Sequence, residues 1–116
     1  MIYLDNQSTT ACDPRVVDEM LPYFTSDFGN SSSISHAYGT TALNAVNLAK
    51  AQVAAMIGAT DPNCIIFTSG STESNNIAIK SMVTRTPTEH HIITTATEHK
   101  AILDPLEYVQ ETGVKT

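Results

Sequence analysis

The sequence has little of what marks the specialised classes of protein. Its two cysteines are too few for a disulfide scaffold, and Cys12 and Cys64 lack the C-x-x-C spacing of metal or redox sites. Six basic residues stand against twelve acidic ones, so the positive patch of a nucleic-acid or anionic-membrane binder is missing. No apolar run approaches the roughly 20 residues of a membrane span. We therefore expect neither nucleic acid nor a membrane as a partner.

The residues that are present describe an ordinary globular chain. Of the 116 residues, 41% are hydrophobic and 16% are charged, which excludes a disordered or fibrous class. The first five residues have neither the basic nor the apolar region of a secretory signal, so the expected compartment is the cytoplasm, with two incidental thiols. No repeat or linker divides the chain, which predicts a single segment over residues 1–116.

Capping residues and apolar spacing predict helices in the first half of the chain. Asp13-Pro14 is an N-cap followed by a first-turn proline, and a short helix is expected over residues 14–24. Residues 27–39 are rich in serine, asparagine and glycine and predict an ordered loop, in which His36 could contact a ligand or only tie the loop together. A longer alanine-rich helix should follow and end at Gly58 in a left-handed cap.

The second half alternates between strand and helix signals. Two short β-branched runs, residues 64–68 and 91–95, are each followed by a helical segment, which predicts parallel pairing in an α/β sheet. Residues 113–116 have the pattern of a helix-ending glycine and the start of a third strand. A parallel sheet is buried on both faces and needs several strands. We therefore expect the opening portion of a larger α/β domain, with residues 1–40 as an arm and residues 41–116 as the start of the core.

The turn after the first predicted strand carries the sharpest chemical signal. Gly70 follows the strand, and Ser71 and Thr72 follow Gly70 where a helix begins, so backbone N–H groups, hydroxyls and the helix dipole favour an anion such as a phosphate. The turn is neither a Walker A loop nor a G-x-G-x-x-G fingerprint. The alternative is that Ser71 or Thr72 only caps the helix, with Glu73 complementing the dipole.

A histidine follows the second predicted strand. His99 should lie at the same carboxyl rim of the sheet as Ser71 and Thr72, where open α/β folds bind ligands, although a lone histidine there is more often a capping or solvent-facing group. His90 and His91 are adjacent and cannot share a strand face, so no metal site is expected. No serine has the G-x-S-x-G setting of a hydrolase nucleophile.

Several short motifs occur in a fixed order and spacing along nearly the whole chain. They include Tyr3-Leu4-Asp5, Ser35-His36-Ala37-Tyr38-Gly39, Thr68-Ser69-Gly70, Thr72-Glu73-Ser74-Asn75-Asn76 and Thr97-Glu98-His99-Lys100. By these motifs the chain resembles the amino-terminal part of the NifS-type cysteine desulfurases, in the class V branch of the fold-type I pyridoxal-phosphate enzymes. The fold that this resemblance implies is the start of a large α/β domain, a mainly parallel sheet flanked by helices.

The resemblance assigns roles to the candidate residues. Ser71 and Thr72 correspond to the family's site for the phosphate of pyridoxal 5'-phosphate, and His99 to the histidine that stacks on the cofactor ring and helps proton transfer. The implied reaction converts L-cysteine to L-alanine and an enzyme-bound persulfide. Implied partners are a second copy of the chain and a scaffold protein for iron–sulfur cluster assembly.

The resemblance also implies that essential groups lie outside these 116 residues. The family chain is several times longer, and its cofactor-binding lysine, its pyridinium-pairing aspartate, its substrate arginine and its nucleophilic cysteine come later. Cys12 and Cys64 match non-catalytic positions, and Lys100 is not the cofactor-binding lysine. We therefore expect no activity from this chain alone. Pro105 is a departure from the pattern, and it predicts that the last helix begins near Asp104 or is locally strained.

Three alternatives to an active desulfurase remain open. The chain could be a non-enzymatic gene remnant, or one half of a split desulfurase that requires a second chain carrying the missing groups. A fragment of a class V aminotransferase or selenocysteine lyase fits less well, because the context around His99 favours the desulfurase branch.

Overall fold

The computed structural model describes residues 2–83 and 89–116, and the chain forms two compact units, Met1–Ile66 and Phe67–Thr116. The regular structure of the described residues is mainly helical. Among them, no helix is both long and apolar enough to cross a membrane.

Two short helices come first in the Met1–Ile66 unit. Helix α1 (Pro14–Met20) begins after the predicted N-cap, Asp13, whose carboxylate accepts a hydrogen bond from the Arg15 N–H at 2.9 Å. Helix α2 (Pro22–Thr25) follows after one residue. The single helix expected over residues 14–24 is thus divided in two, because Pro22 has no N–H to donate to the helical ladder.

A tight loop leads into the longest helix, α3 (Ala37–Ile57). The helix ends at Gly58, which has φ 73° in the left-handed region, as the sequence predicts. It begins two residues before Gly39, the end of the predicted loop. The loop lies so close to this first turn that a Cβ on Gly39 would be 1.8 Å from the carbonyl oxygen of Ser33. Glycine is therefore required at this position by close backbone approach.

The first predicted strand, residues 64–68, is not formed as a paired strand. Cys64 belongs to a 3₁₀ helix, Pro62–Cys64; Ile65 is extended, and residues 65–68 have no ladder partner among the described residues. The expectation of a strand here is wrong for this structure, because an extended segment becomes a strand only when a neighbour accepts and donates its backbone hydrogen bonds.

Helices α4 (Ser71–Val83) and α5 (Lys100–Glu111) pack against each other in the Phe67–Thr116 unit. Their shared core is small and aliphatic. Pro105 lies inside α5, so of the two alternatives predicted for this helix, a start near Asp104 is wrong. The residues buried in this core are Ile79, Val83, Leu106, Val109 and Val114, with Ile92 and Ile102 packed at its edge.

The second and third predicted strands meet in one parallel bridge, between His91 and Lys115. The Ile92 N–H donates to the Lys115 carbonyl at 2.8 Å, and the Lys115 N–H donates to the His90 carbonyl at 3.4 Å. The predicted parallel direction is therefore confirmed. The expected sheet is reduced to this bridge in the described part of the chain, where no further segment pairs with either side.

Candidate functional site

The turn before α4 is held by hydrogen bonds between residues on its two sides. The Thr68 and Ser74 hydroxyl oxygens lie 2.6 Å apart, and both hydroxyls are within hydrogen-bonding distance of the Gly70 carbonyl, at 3.2 and 3.3 Å. The Ser74 N–H donates to the same carbonyl at 3.1 Å and makes the first hydrogen bond of the helix. These contacts fix Gly70 as the residue from which α4 begins.

Glu73 provides a second tether across this turn. One of its carboxylate oxygens accepts hydrogen bonds from the Ser69 N–H at 2.7 Å and from the Ser69 hydroxyl at 2.8 Å. The backbone hydrogen bond, and then the hydroxyl, hold the pKa of Glu73 below its ordinary value. Glu73 is therefore ionised at neutral pH, and its charge lies in the first turn of the helix.

The N–H groups at the start of α4 are left open by this arrangement. Within the described residues, the N–H groups of Gly70, Ser71 and Thr72 have no hydrogen-bond acceptor, and neither do the Ser71 and Thr72 hydroxyls. A Cβ built on Gly70 would meet nothing within 4 Å. Because Ser71 and Thr72 lie inside the helix and not at its cap, their hydroxyls are available to a ligand at this helix terminus.

A cleft of about 180 Å³ runs between α4 and α5, starting at this terminus. Thr72 lines it on one side, and Lys100 and Ala101 line it on the other, directly after His99 in the chain. The structure thus places Thr72 and the residues after His99 on the same cleft. Its other lining residues are Asn76, Lys80, Asp104, Pro105 and Tyr108.

His99 is the N-cap of α5. Its backbone is extended, and its Nδ1 atom accepts a hydrogen bond from the Ala101 N–H at 3.0 Å. The side chain is exposed, and its Nε2 atom has no hydrogen-bond partner in the described part of the chain. In the neutral imidazole an accepting Nδ1 leaves the proton on Nε2. The cap therefore uses one nitrogen and leaves Nε2 accessible as a donor.

The other residues considered from the sequence occupy ordinary positions. Cys12 and Cys64 are free and exposed. His36 ties the loop before α3, since its Nδ1 atom accepts from the Gly39 N–H at 3.2 Å. No cluster of histidine, cysteine or acidic residues among those described has the arrangement of a metal site.

The tether made by Glu73 is not predicted by the sequence pattern. A glutamate in the first turn of a helix is ordinarily explained by the helix dipole or by a capping box, in which it accepts from the N-cap N–H. Here the Glu73 carboxylate accepts from the N–H of Ser69, which is one residue before Gly70 at the start of α4. The available signal was the pairing of a serine with a glutamate four residues later, on either side of a glycine.

Residues 2–116 match the family described as "Aminotransferase class-V". Among curated proteins, the chain is 51% identical over 115 residues to cysteine desulfurase IscS of Rickettsia massiliae strain Mtu5, which covers 98% of this chain and 28% of the relative. It is 53% identical over 115 residues to the mitochondrial cysteine desulfurase of Drosophila melanogaster, with 98% of this chain and 25% of the relative covered. The chain thus spans only about a quarter of the length of these relatives.

Solved structures agree with the sequence matches. A NifS-like protein superposes with a TM-score of 0.85 at 36% identity, over 98% of this chain and 31% of that one. DndA from Streptomyces lividans superposes with a TM-score of 0.73 at 44% identity, over 98% of this chain and 32% of that one. The expected fold class, the amino-terminal part of a fold-type I pyridoxal-phosphate enzyme, is therefore confirmed. The chain belongs to the class V aminotransferase family, within which it matches the amino-terminal part of the NifS-type cysteine desulfurases.

Proposed function

We propose that this chain supplies the phosphate-binding turn and the ring-contacting histidine of a pyridoxal-phosphate-dependent cysteine desulfurase. The observation that carries the proposal is the open terminus of α4, where the N–H groups of Gly70, Ser71 and Thr72 have no acceptor among the described residues. Family membership supports the choice of cofactor.

The residues of the turn fit a phosphate ester. Backbone N–H groups at a helix terminus favour an anion, and the Ser71 and Thr72 hydroxyls add two donors. The space beside Gly70 is open, so no part of the described chain explains the absence of a side chain there, whereas a closely bound phosphate would. The site also offers local attraction for an anion in a chain whose formal charge is −6.

His99 would serve the ring of the cofactor. Bound pyridoxal phosphate supplies an electron sink for bond breaking next to the substrate amine. The Ala101 N–H donates to Nδ1, so the cap engages one ring nitrogen and leaves Nε2 unbonded among the described residues. His99 can therefore contact the pyridine ring and pass a proton through Nε2 without giving up its role in starting α5.

The complete desulfurase reaction requires catalytic groups other than the turn before α4 and His99. We propose that L-cysteine is the substrate of the whole enzyme and that sulfur leaves as a persulfide on a cysteine other than Cys12 or Cys64, for iron–sulfur cluster assembly with a scaffold protein. A second copy of the chain is the proposed partner in the assembly. The two free, exposed thiols fit a reducing compartment such as the cytoplasm. The 116-residue chain alone is expected to release no sulfide from L-cysteine.

Binding of pyridoxamine 5'-phosphate tests the phosphate site without covalent attachment to lysines. The full chain should bind it at least about tenfold more tightly than pyridoxamine, because a hydrogen bond to a charged group contributes about 1.5–3 kcal/mol. Ligand fluorescence measures both affinities. Thr72→Val should remove much of this preference, whereas Thr112→Val, at the C-cap of α5 and away from the turn, serves as the control. Equal affinity for the two ligands would refute the proposal.

Two substitutions separate the roles proposed for His99. His99→Asn keeps a good N-cap but removes the imidazole, so α5 should retain its helicity while affinity for pyridoxamine 5'-phosphate falls severalfold. His99→Ala removes both the N-cap and the imidazole, so ligand affinity should fall and α5 should be destabilised by about 1 kcal/mol. If His99→Asn binds the ligand like the unmodified chain, the imidazole has no part in binding the ring.

A second candidate is one half of a split desulfurase. It is favoured by large apolar side chains that are exposed in the two runs predicted as strands, Ile66 at 65%, Phe67 at 54% and Ile93 at 86%. Interior strands of parallel sheets have this apolar character. Mixing this chain with a polypeptide that carries the remaining desulfurase motifs should then restore cysteine-dependent sulfide release, and no release on mixing would reject the split enzyme.

A further inference from the structure

We infer that Glu73 is a positioning residue for the anion site: by holding Ser69 it keeps the N–H groups of Gly70, Ser71 and Thr72 open to the phosphate of the ligand. The inference rests on the proposed function, because it takes the start of α4 to be the phosphate site. Glu73 holds the turn through Ser69 and is not proposed to contact the ligand.

The Glu73 carboxylate binds Ser69 and not the open N–H groups at the start of α4. A glutamate in the first turn is itself an anion that can occupy the free N–H groups of a helix terminus. Glu73 instead accepts two hydrogen bonds from Ser69, at 2.7 and 2.8 Å, before the helix begins. The same carboxylate oxygen, Oε2, accepts both of these hydrogen bonds. The internal anion is thus kept off the N–H groups that an external anion would use.

The hydrogen bonds between Glu73 and Ser69 restrict the backbone of the turn. Ser69 and Gly70 are bend residues just before the helix, and neither of their N–H groups donates to a backbone carbonyl. The contact of Thr68 with Ser74 closes the turn from one side, and the contact of Ser69 with Glu73 closes it from the other. With both contacts the turn is ordered before a ligand binds. The free energy of binding therefore does not include the entropic cost of ordering the turn.

The negative charge of Glu73 does not itself favour phosphate binding. A carboxylate near a phosphate dianion repels it, so the charge of Glu73 by itself weakens the binding of the ligand. Its value to the site must therefore come from its reach and from its two hydrogen bonds. This gives opposite expectations for a variant that keeps the reach and one that keeps the charge.

Two substitutions of Glu73 separate these contributions. Glu73→Gln keeps the length and an accepting oxygen, and its affinity for pyridoxamine 5'-phosphate should remain within about threefold of the unmodified chain. Glu73→Asp keeps the charge and suits a first helical turn, but it is one methylene too short for Ser69. Its affinity should fall about tenfold, the effect of re-ordering roughly one backbone residue on binding. Glu111→Ala, which removes an exposed acidic side chain at the end of α5, is the control.

A measurement without ligand reports the tether directly. The Ser69 amide proton should be shifted downfield in the NMR spectrum and protected from exchange in the unmodified chain and in Glu73→Gln, and it should lose both properties in Glu73→Asp. Far-ultraviolet circular dichroism shows whether each variant keeps its helices. Affinity for pyridoxamine, which lacks the phosphate, should be the same in all of them.

The outcomes distinguish the inference from the function on which it rests. If the unmodified chain binds pyridoxamine 5'-phosphate no better than pyridoxamine, the proposed function fails. If it shows the preference but Glu73→Asp binds as tightly as the unmodified chain, or Glu73→Gln binds as weakly as Glu73→Asp, the positioning role is overturned. Loss of affinity for both ligands alike would mean that Glu73 only stabilises the helix, which also overturns it.

Discussion

Replacing Val109 with alanine is expected to destabilise the Phe67–Thr116 unit by about 2 kcal/mol. Val109 is 0% exposed and packs in the core between α4 and α5. The substitution removes apolar surface equal to two methylene groups, about 1.6 kcal/mol, and leaves a cavity that adds about 1 kcal/mol. Alanine returns up to about 0.5 kcal/mol because it is the better helix former.

Native-state hydrogen exchange of the α4 and α5 amides measures this effect locally. A loss of about 2 kcal/mol corresponds to exchange about 30-fold faster in the most protected amides of these helices. Val17→Ala makes the same chemical change on α1, where the side chain is 45% exposed, and should change stability by no more than about 0.5 kcal/mol. Equal effects of the two substitutions would refute the assignment of Val109 to a packed core.

Three further predictions concern the turn and the thiols. Gly70→Ala should leave helix content unchanged, since its Cβ meets nothing within 4 Å, but weaken binding of pyridoxamine 5'-phosphate about tenfold; unchanged binding would mean that no ligand approaches Gly70. The pKa of Glu73 is lowered in the folded chain, so its stabilising effect is present above the ordinary value of 4.5 and lost as pH falls through the folded pKa. Helix content should accordingly fall in Glu73→Ala at pH 7 and change much less at pH 2, as circular dichroism can check. Cys12 and Cys64 should both react with a thiol reagent in the folded chain, and alanine at either position should leave ligand binding unchanged.

The helices could be predicted where their ends are specified by local residues. Asp13 and Gly58 act through hydrogen bonds and backbone angles within a few positions of themselves, so their effect does not depend on the rest of the fold. The position of Pro105 could not be predicted in this way. Pro105 is buried in α5 beside Leu106, and burial of this face outweighs the hydrogen bond that proline removes from the Ala101 carbonyl.

The strands were predicted less completely because pairing is not a local property. The apolar, β-branched runs favour extended backbone, but the existence of a strand depends on a neighbour that the run itself does not specify. His91 finds Lys115 and forms a bridge, whereas residues 65–68 have no such neighbour among those described. The same pattern of residues therefore gives a paired segment in one place and an unpaired one in the other.

His99 illustrates why a structural and a functional explanation of one residue need not compete. From the sequence, capping and catalysis are alternatives, since each gives sufficient reason for a histidine after a strand. In the structure, capping uses only Nδ1, through the Ala101 N–H, and the ring remains exposed with Nε2 unbonded within the described residues. Capping by Nδ1 is therefore compatible with the proposed contact between His99 and the cofactor ring, because the two roles use different parts of the imidazole.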